Sequence, residues 1–572
     1  MLRPLDRSRA ATTAGVTAAG LILLRVAVSG WSDPLWGLNA LSSLGPGATL
    51  VWTVLPLIAL IPFIVRASVT PLWEAGAPPL PAWLAGALFL LVAMIFPAVA
   101  IPLLGDGIDR LEATLAGGRG LIGQPAPLDL LLHLGFFQVL AQFKGPTWET
   151  AWRSWRLYSF LAGALSVTAV WKLASFAAVT RGGRVFVTFI TLAGGALLFF
   201  FGYVENYVGL AAGLHGFYLL ILLSERGRAP RWSLWAGLIG LIGLHYFMAL
   251  LVPALGWALY RRRTWRPSRV FIAVTAIVMA GFGAFVLSVI DDHYGGLASI
   301  FVPPEQWLGG YHLLGFFNQQ LLACPAWPIL LALALWPDSS TRSKQADRPG
   351  LEFLISFLGA ASLILLVFFF FLRPVIGPAA DWDLFAVPSL AYAPWLALRV
   401  LSRWEGRPDF VRVGWAAMVM TAAFTGPWLS ANQNEPLALQ RYRDALEWEA
   451  GHNPWAASYG YLRLGKYLGR RKHDQFNPEI VGSLERAVTI NPDSAALRMQ
   501  VAQAYSTLGR MDEARREMAA HHRLMGAYYE RKGRPAEALL HYRAAIEEYG
   551  DTTPATIEGL RRVSPFTPPT MP

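Results

Sequence analysis

Cysteine is almost absent from this 572-residue chain: Cys324 stands alone. That excludes an intrachain disulfide framework and any cysteine-built metal site. Charge is scarce too, at 15% of residues, where a water-soluble domain carries about 25%. The shortage is local. Of the 48 Lys and Arg and 37 Asp and Glu, 36 fall in the last 141 residues and 49 in the first 431. The first part therefore reads as lipid-solvated and the second as water-solvated. Missing as well are a Gly-rich phosphate loop, a dinucleotide fingerprint and a nucleophile elbow.

What is present is a series of apolar runs. A helix needs about twenty apolar residues to cross the hydrocarbon core. On that rule spans are expected near 11–29, 48–65, 82–104, 156–179, 184–202, 207–224, 269–290, 312–336, 351–372, 382–402 and 410–430. The stretch Trp232 to Tyr260 has basic flanks on both sides. It reads as two short helices broken near His245, or as one long tilted span. The expectation is an all-α chain: a polytopic membrane domain of about eleven to thirteen helices, then a soluble helical-repeat domain. The first run, Ala11 to Val28, lacks a small-residue cleavage site and is expected to stay as a span.

The net charge of +11 is not read as a nucleic-acid signal. Lys and Arg of the first part sit in short loops between apolar runs, where they set orientation. Placing Arg3, Arg7 and Arg9, Arg66, Arg181 to Arg184 and the segments 225–231, 261–269, 338–349 and 403–412 in the cytoplasm leaves a consistent outer face. That face collects Asp106, Asp109, Glu205, Asn206, Asp291 to His293, Arg373, Asp381 and Asp383, and the C-terminal domain.

Asp106 follows the third apolar run in Gly105-Asp106-Gly107-Ile108-Asp109-Arg110. Flanking glycines permit a sharp turn, and a carboxylate at the lipid boundary can serve as a base. Asp106 could equally be a helix cap. The fifty-residue loop after it holds an apolar stretch from Pro127 that is too short to span and is expected to lie in the interface. Trp148, Trp152 and Trp155 suit the headgroup level. Gly202-Tyr-Val-Glu205-Asn206-Tyr puts a carboxylate and an amide between apolar runs, either as a site or as a tight polar turn. Asp381-Trp-Asp383 with Arg373 nearby is either an Arg–Asp clamp or a holder of phosphate or a divalent cation. His312 reads as a substrate contact and His215 as a satisfied core residue.

Leu484-Glu-Arg-Ala-Val-Thr-Ile-Asn-Pro-Asp and Ala502-Gln-Ala-Tyr-Ser-Thr-Leu-Gly-Arg-Met-Asp-Glu-Ala resemble tetratricopeptide repeats. The Gly509 to Gly533 interval is 24 residues, short of the usual repeat of about 34, so shortened or fused helices are expected there. The division drawn from sequence is a membrane domain over 1–431, a repeat domain over 432–550 and a loose tail over 551–572.

Taken in order, Leu104-Gly-Asp-Gly, Gly202-Tyr-Val-Glu-Asn-Tyr, His312-Leu-Leu-Gly-Phe-Phe-Asn-Gln and Asp381-Trp-Asp-Leu-Phe resemble the GT-C superfamily of integral membrane glycosyltransferases. Some members of that superfamily, including protein O-mannosyltransferases, carry C-terminal tetratricopeptide repeats, and the chain resembles these. The resemblance spans about residues 82–430. It implies transfer of a sugar from a polyprenyl-phosphate carrier to a protein Ser/Thr, lipid or glycan on the outer face of the bilayer. Asp106 would be the catalytic carboxylate and Arg373 a phosphate clamp. Asp109, Glu205, Asn206, His245, His312, Asp381 and Asp383 would bind donor or acceptor. Magnesium or manganese could assist, and no nucleic acid is involved. A transporter of lipid-linked sugars and a non-enzymatic scaffold are the alternatives; the first would need deep intramembrane charges and internal symmetry, which are few here.

Overall fold

The computed structural model describes residues 7–28, 36–37, 39–64, 80–117, 126–261, 300–336, 350–472 and 477–564. Among them the regular structure is helical, apart from one isolated bridge between Phe301 and Leu372. The chain divides into two compact units, Met1–Tyr442 and Arg443–Pro572.

In the first unit, four helices are long and apolar enough to cross a membrane: Trp148–Ala177, Tyr207–Glu225, Leu351–Phe371 and Trp382–Trp404. Gly310–Ala323 and Trp327–Leu335 would make a fifth, but they bend by 82°. Pro325 lies in that break; its ring removes a backbone donor and clashes with the preceding turn. The expected count of eleven to thirteen spans is therefore not reached by long helices among the described residues. Shorter apolar helices make up much of the difference, among them Ala11–Ala27, Pro46–Ile61 and Trp232–Leu244. Their exposed side chains include Leu50, Leu55, Leu88, Leu91 and Ile239, an apolar surface broader than water normally tolerates.

Two further expected spans are broken for identifiable reasons. The run 82–104 is helical only over Ala82–Ile95, because Phe96 precedes Pro97 and turns extended. The run 184–202 splits into Arg181–Leu192 and a 3₁₀ turn, Gly195–Phe200. At the split, a methyl group on Gly194 would come within 2.0 Å of the Ala323 carbonyl oxygen, so only glycine allows that approach. The stretch from Trp232 breaks at His245, which is extended between Trp232–Leu244 and Tyr246–Leu250. The expected span 269–290, Asp291 to His293 and the basic segment 338–349 lie outside the described residues.

The region after Asp106 folds into Gly107–Leu115 and Pro127–Lys144. The three tryptophans do not form a surface belt: they open the helix Trp148–Ala177, and Trp152 and Trp155 are buried. Trp155 donates its Nε1–H to Thr114 Oγ1 at 3.1 Å and stacks on His133. His215 is buried as expected, but neither ring nitrogen has a hydrogen-bond partner among the described residues.

In the second unit, Pro454–Lys472, Pro478–Ile490, Ala495–Thr507, Met511–Arg531, Pro535–Glu547 and Pro554–Val563 follow one another, and most chain neighbours pack together. One 21-residue helix, Met511–Arg531, fills the short interval between Gly509 and Gly533. Both glycines have positive φ, 78° and 68°, the left-handed conformation that ends a helix. The loose tail expected from residue 551 does not hold over its first half. Asp551 accepts from Thr553 N and Thr556 Oγ1, and Val563 of the helix Pro554–Val563 packs with Tyr542.

Candidate active site

Three non-helical segments of the first unit meet around Gly105. The segment after Ile95 cannot continue as helix, so its backbone donors must find other partners. Val99 N–H donates to the Phe201 carbonyl at 2.7 Å, Ala100 N–H to that of Asn432 at 2.9 Å, and Gly105 N–H to that of Ala380 at 2.7 Å. These bonds bring the Gly105, Glu205 and Asp383 neighbourhoods together from positions far apart in sequence. Gly105 has φ +61°, and a methyl group there would lie 2.1 Å from Asp383 Oδ2 and 3.0 Å from Glu205 Cγ. Two carboxyl groups thus close over a bare backbone.

Asp106 occupies the N-cap of Gly107–Leu115, yet its side chain makes no capping hydrogen bond. Its carboxylate is 48% exposed, and Oδ2 stands 3.9 Å from Arg110 Nη2, one turn along the helix. Its backbone N–H donates to Glu205 Oε1 at 2.7 Å. Glu205 is 1% exposed. Oε2 accepts from Asn206 N–H at 2.7 Å and lies 3.5 Å from Arg110 Nε. Burial pushes the Glu205 carboxyl up to about 7; Arg110 opposes the rise and Asp106 adds to it. Its proton affinity is therefore matched to neutral pH.

Asp383 is held from two sides. Leu384 N–H donates to Oδ1 at 2.9 Å, and Tyr203 O–H donates to Oδ2 at 3.1 Å. Trp382 Nε1–H in turn donates to Tyr203 Oη at 3.1 Å. Burial first, then the Asp383 charge, pushes the Tyr203 phenol well up, so it stays a donor. Asp381 Oδ2 accepts from Ile376 N–H at 3.3 Å. The charges of Glu205, Asp381 and Asp106 all act on Asp383. Four acidic side chains share one neighbourhood, and Arg110 is the buried cation paired to two of them.

Of the residues singled out in sequence, Asp106, Glu205, Asn206, Asp381 and Asp383 are brought together. Asn206 is 1% exposed, and among the described residues neither its amide nitrogen nor its amide oxygen has a partner. An unmet buried amide costs about 1–3 kcal/mol and is ready to pair with a polar ligand. His245 adjoins this group: its ring stacks on Tyr207 at 5.4 Å and its Nδ1 accepts from Phe247 N–H at 3.2 Å. Asp109 lies in the first turn of Gly107–Leu115, half-buried. His312 packs against Phe370 in a T-shaped pair, ring centroids 4.8 Å apart. Arg373 is exposed and forms no ion pair with these carboxylates among the described residues.

Arg110, Tyr203 and Trp382 carry the arrangement and had no assigned role in sequence. The available signal was the spacing of Asp106 and Arg110, four residues apart on one helix face. Two glutamines also position the acidic segment: Gln319 donates to the Pro378 carbonyl and Gln320 to that of Phe385, each at 3.0 Å. Among the described residues no three His, Cys, Asp or Glu side chains converge as ligands; magnesium or manganese, if bound, would be held by one or two of these carboxylates with water and substrate phosphate. Searches for matching protein families and for similar curated proteins found none for this chain.

Proposed function

We propose that this protein is a membrane glycosyltransferase of the GT-C type, moving a sugar from a polyprenyl-phosphate carrier to an acceptor hydroxyl. The observation that carries the reading is the cluster around Gly105: a half-exposed carboxylate, three further acidic groups and one buried guanidinium. It adjoins the ends of apolar helices such as Tyr207–Glu225 and Trp382–Trp404. A sugar on a lipid phosphate presents its reactive carbon at this kind of boundary, with its tail among apolar helices. Fold analogy contributes the reaction class; the residues contribute the roles.

In this reading Asp106 takes the acceptor hydroxyl's proton as the oxygen attacks the anomeric carbon. The carbon–oxygen bond to phosphate breaks, and phosphate leaves with the electron pair. Arg110 supplies the positive charge that this departure needs, from a buried position where water screens it little. Glu205 holds Arg110 and the Asp106 backbone. Asn206, Asp381 and Asp383 bind sugar hydroxyls. The Arg443–Pro572 unit is read as a tetratricopeptide-like solenoid, on the extracytoplasmic side, that binds an acceptor on its concave surface.

The direct test is label transfer. Purified protein is incubated with a radiolabelled polyprenyl-phosphate sugar and either a Ser/Thr peptide or a lipid extract. Label appearing in one acceptor pool supports transfer and identifies the acceptor class. Label that crosses vesicle membranes without changing its carrier would support transport instead.

A further inference from the structure

Two apolar helices, Tyr207–Glu225 and Trp382–Trp404, begin at the acidic cluster and end away from it. Tyr207–Glu225 runs for 19 residues, about 28 Å at 1.5 Å per residue, close to the thickness of a bilayer's hydrocarbon core. Its far end meets that of Trp148–Ala177: Arg226 Nη2 donates to the Phe176 carbonyl at 2.9 Å. The far end of Trp382–Trp404 joins them through Glu405, which accepts from Val179 N–H and Thr180 N–H.

At this far end three cations gather on one ring. The Arg226 guanidinium carbon lies 4.4 Å from the Phe176 centroid, Lys172 Nζ 5.1 Å and the Arg228 guanidinium carbon 5.6 Å. The ring attracts each cation, but the three repel one another. Arg226 is pinned by its bond to the Phe176 carbonyl. Lys172 and Arg228 are exposed, and among the described residues neither side chain forms a hydrogen bond or an ion pair. Glu225, the one carboxylate of the segment 225–231, packs against Gly350, where a methyl group would lie 2.6 Å from its Cβ. An anion held by Lys172 and Arg228 relieves the repulsion, and the surroundings decide which anion. Val179 is 74% exposed and Trp232 69%, and the helices Trp148–Ala177 and Tyr207–Glu225 are apolar enough to cross a membrane. A phosphate that carries acyl chains fits this place: its chains lie along the apolar side chains while its charge meets the cations. A soluble phosphate gains nothing from the apolar rim.

We propose that Lys172, Arg226 and Arg228 form, around Phe176, a binding site for the phosphate headgroup of an anionic phospholipid in the leaflet opposite the acidic cluster. The site stands apart from the transfer reading and uses none of its residues. The test is native mass spectrometry and thermal melting of the full chain in detergent, titrated with dioleoyl phosphatidylglycerol. Dioleoyl phosphatidylcholine and inorganic phosphate are the comparison ligands. Phosphatidylglycerol should stay bound after the detergent is stripped and should raise the melting temperature, whereas the other two do neither at the same concentration. Lys172→Ala combined with Arg228→Ala should bind it at least about tenfold more weakly, with helix content by circular dichroism unchanged because both side chains are exposed. Lys172→Arg combined with Arg228→Lys keeps both charges and should bind as wild type does. Arg515→Ala combined with Arg516→Ala removes the same charge from exposed positions of the second unit and should change nothing. Wild-type phosphatidylglycerol binding by the Lys172→Ala, Arg228→Ala variant would overturn the proposal. Equal binding of phosphatidylcholine, or displacement of the lipid by inorganic phosphate, would overturn it as well.

Discussion

Arg110 reaches past Asp106 to Glu205: its Nε stands 3.5 Å from Glu205 Oε2, while its Nη2 is 3.9 Å from Asp106 Oδ2. The two carboxylates differ sharply in surroundings. Glu205 is buried, and Asp106 is half-exposed. One cation therefore fixes a buried partner and leaves the open carboxylate free to act.

Arg110 should tolerate little change. Removing one partner of a buried ion pair costs about 3–5 kcal/mol, so Arg110→Ala should lower the melting temperature as well as activity. Arg110→Lys keeps the charge but not the planar fork and should fold, with transfer reduced about 100-fold or more. Arg373→Ala should stay within about threefold of wild type, since exposed charges contribute little. A label-transfer assay on the three variants checks this ranking, and equal losses for Arg110→Lys and Arg373→Ala would contradict it.

Gly105 is a position where one methyl group should matter. Its φ of +61° costs an L side chain about 1–2 kcal/mol. The methyl would also collide with Asp383 Oδ2. Gly105→Ala should lose most activity while helix content measured by circular dichroism stays near wild type. Wild-type transfer by this variant would remove Asp383 from the site.

The pH profile should report Glu205. With its proton affinity near 7, protonation weakens its hold on Arg110, so transfer should rise as pH increases through about 7. Glu205→Gln mimics the protonated form and should show low transfer without that rise. A stability effect accompanies it with the opposite sign. The folded state raises this group's pKa, so the stability it contributes is full below the unfolded value of 4.5 and is lost as pH climbs through about 7. Rates and melting temperatures measured between pH 5 and 8 test both directions.

On a separate part of the first unit, Glu405 caps a turn. Its Oε1 accepts from Val179 N and Thr180 N at 2.8 Å and from Thr180 Oγ1 at 3.0 Å. Glu405→Ala leaves two backbone donors unmet and should cost about 2–4 kcal/mol. The melting temperature should fall, while transfer at low temperature persists. A variant as stable as wild type would contradict the assignment.

How far the sequence disclosed this arrangement depends on range. Local signals were legible: Gly105-Asp106-Gly107, the break at His245 and the glycine turns at 509 and 533 all follow from backbone rules that act within a few residues. Asp106, Glu205, Asp381 and Asp383 also stood out, because carboxylates beside apolar runs are costly. Their meeting around Gly105 was not legible, since it depends on bonds such as Gly105 to Ala380, some 275 residues apart (roughly half the chain). For the same reason the approach of Arg110 to Glu205, 95 residues along the chain, was not legible either. Breaks such as Pro97, Gly194 and Pro325 were not legible from apolar composition, because the surrounding residues stay apolar.

The central claim is that Asp106 is the base for sugar transfer at this cluster. It is tested most directly by single-turnover transfer from a labelled polyprenyl-phosphate sugar by wild type, Asp106→Asn and Asp109→Asn. The account predicts that Asp106→Asn falls by about 100-fold or more with unchanged donor binding, while Asp109→Asn keeps most of its rate. Wild-type turnover by Asp106→Asn would contradict it.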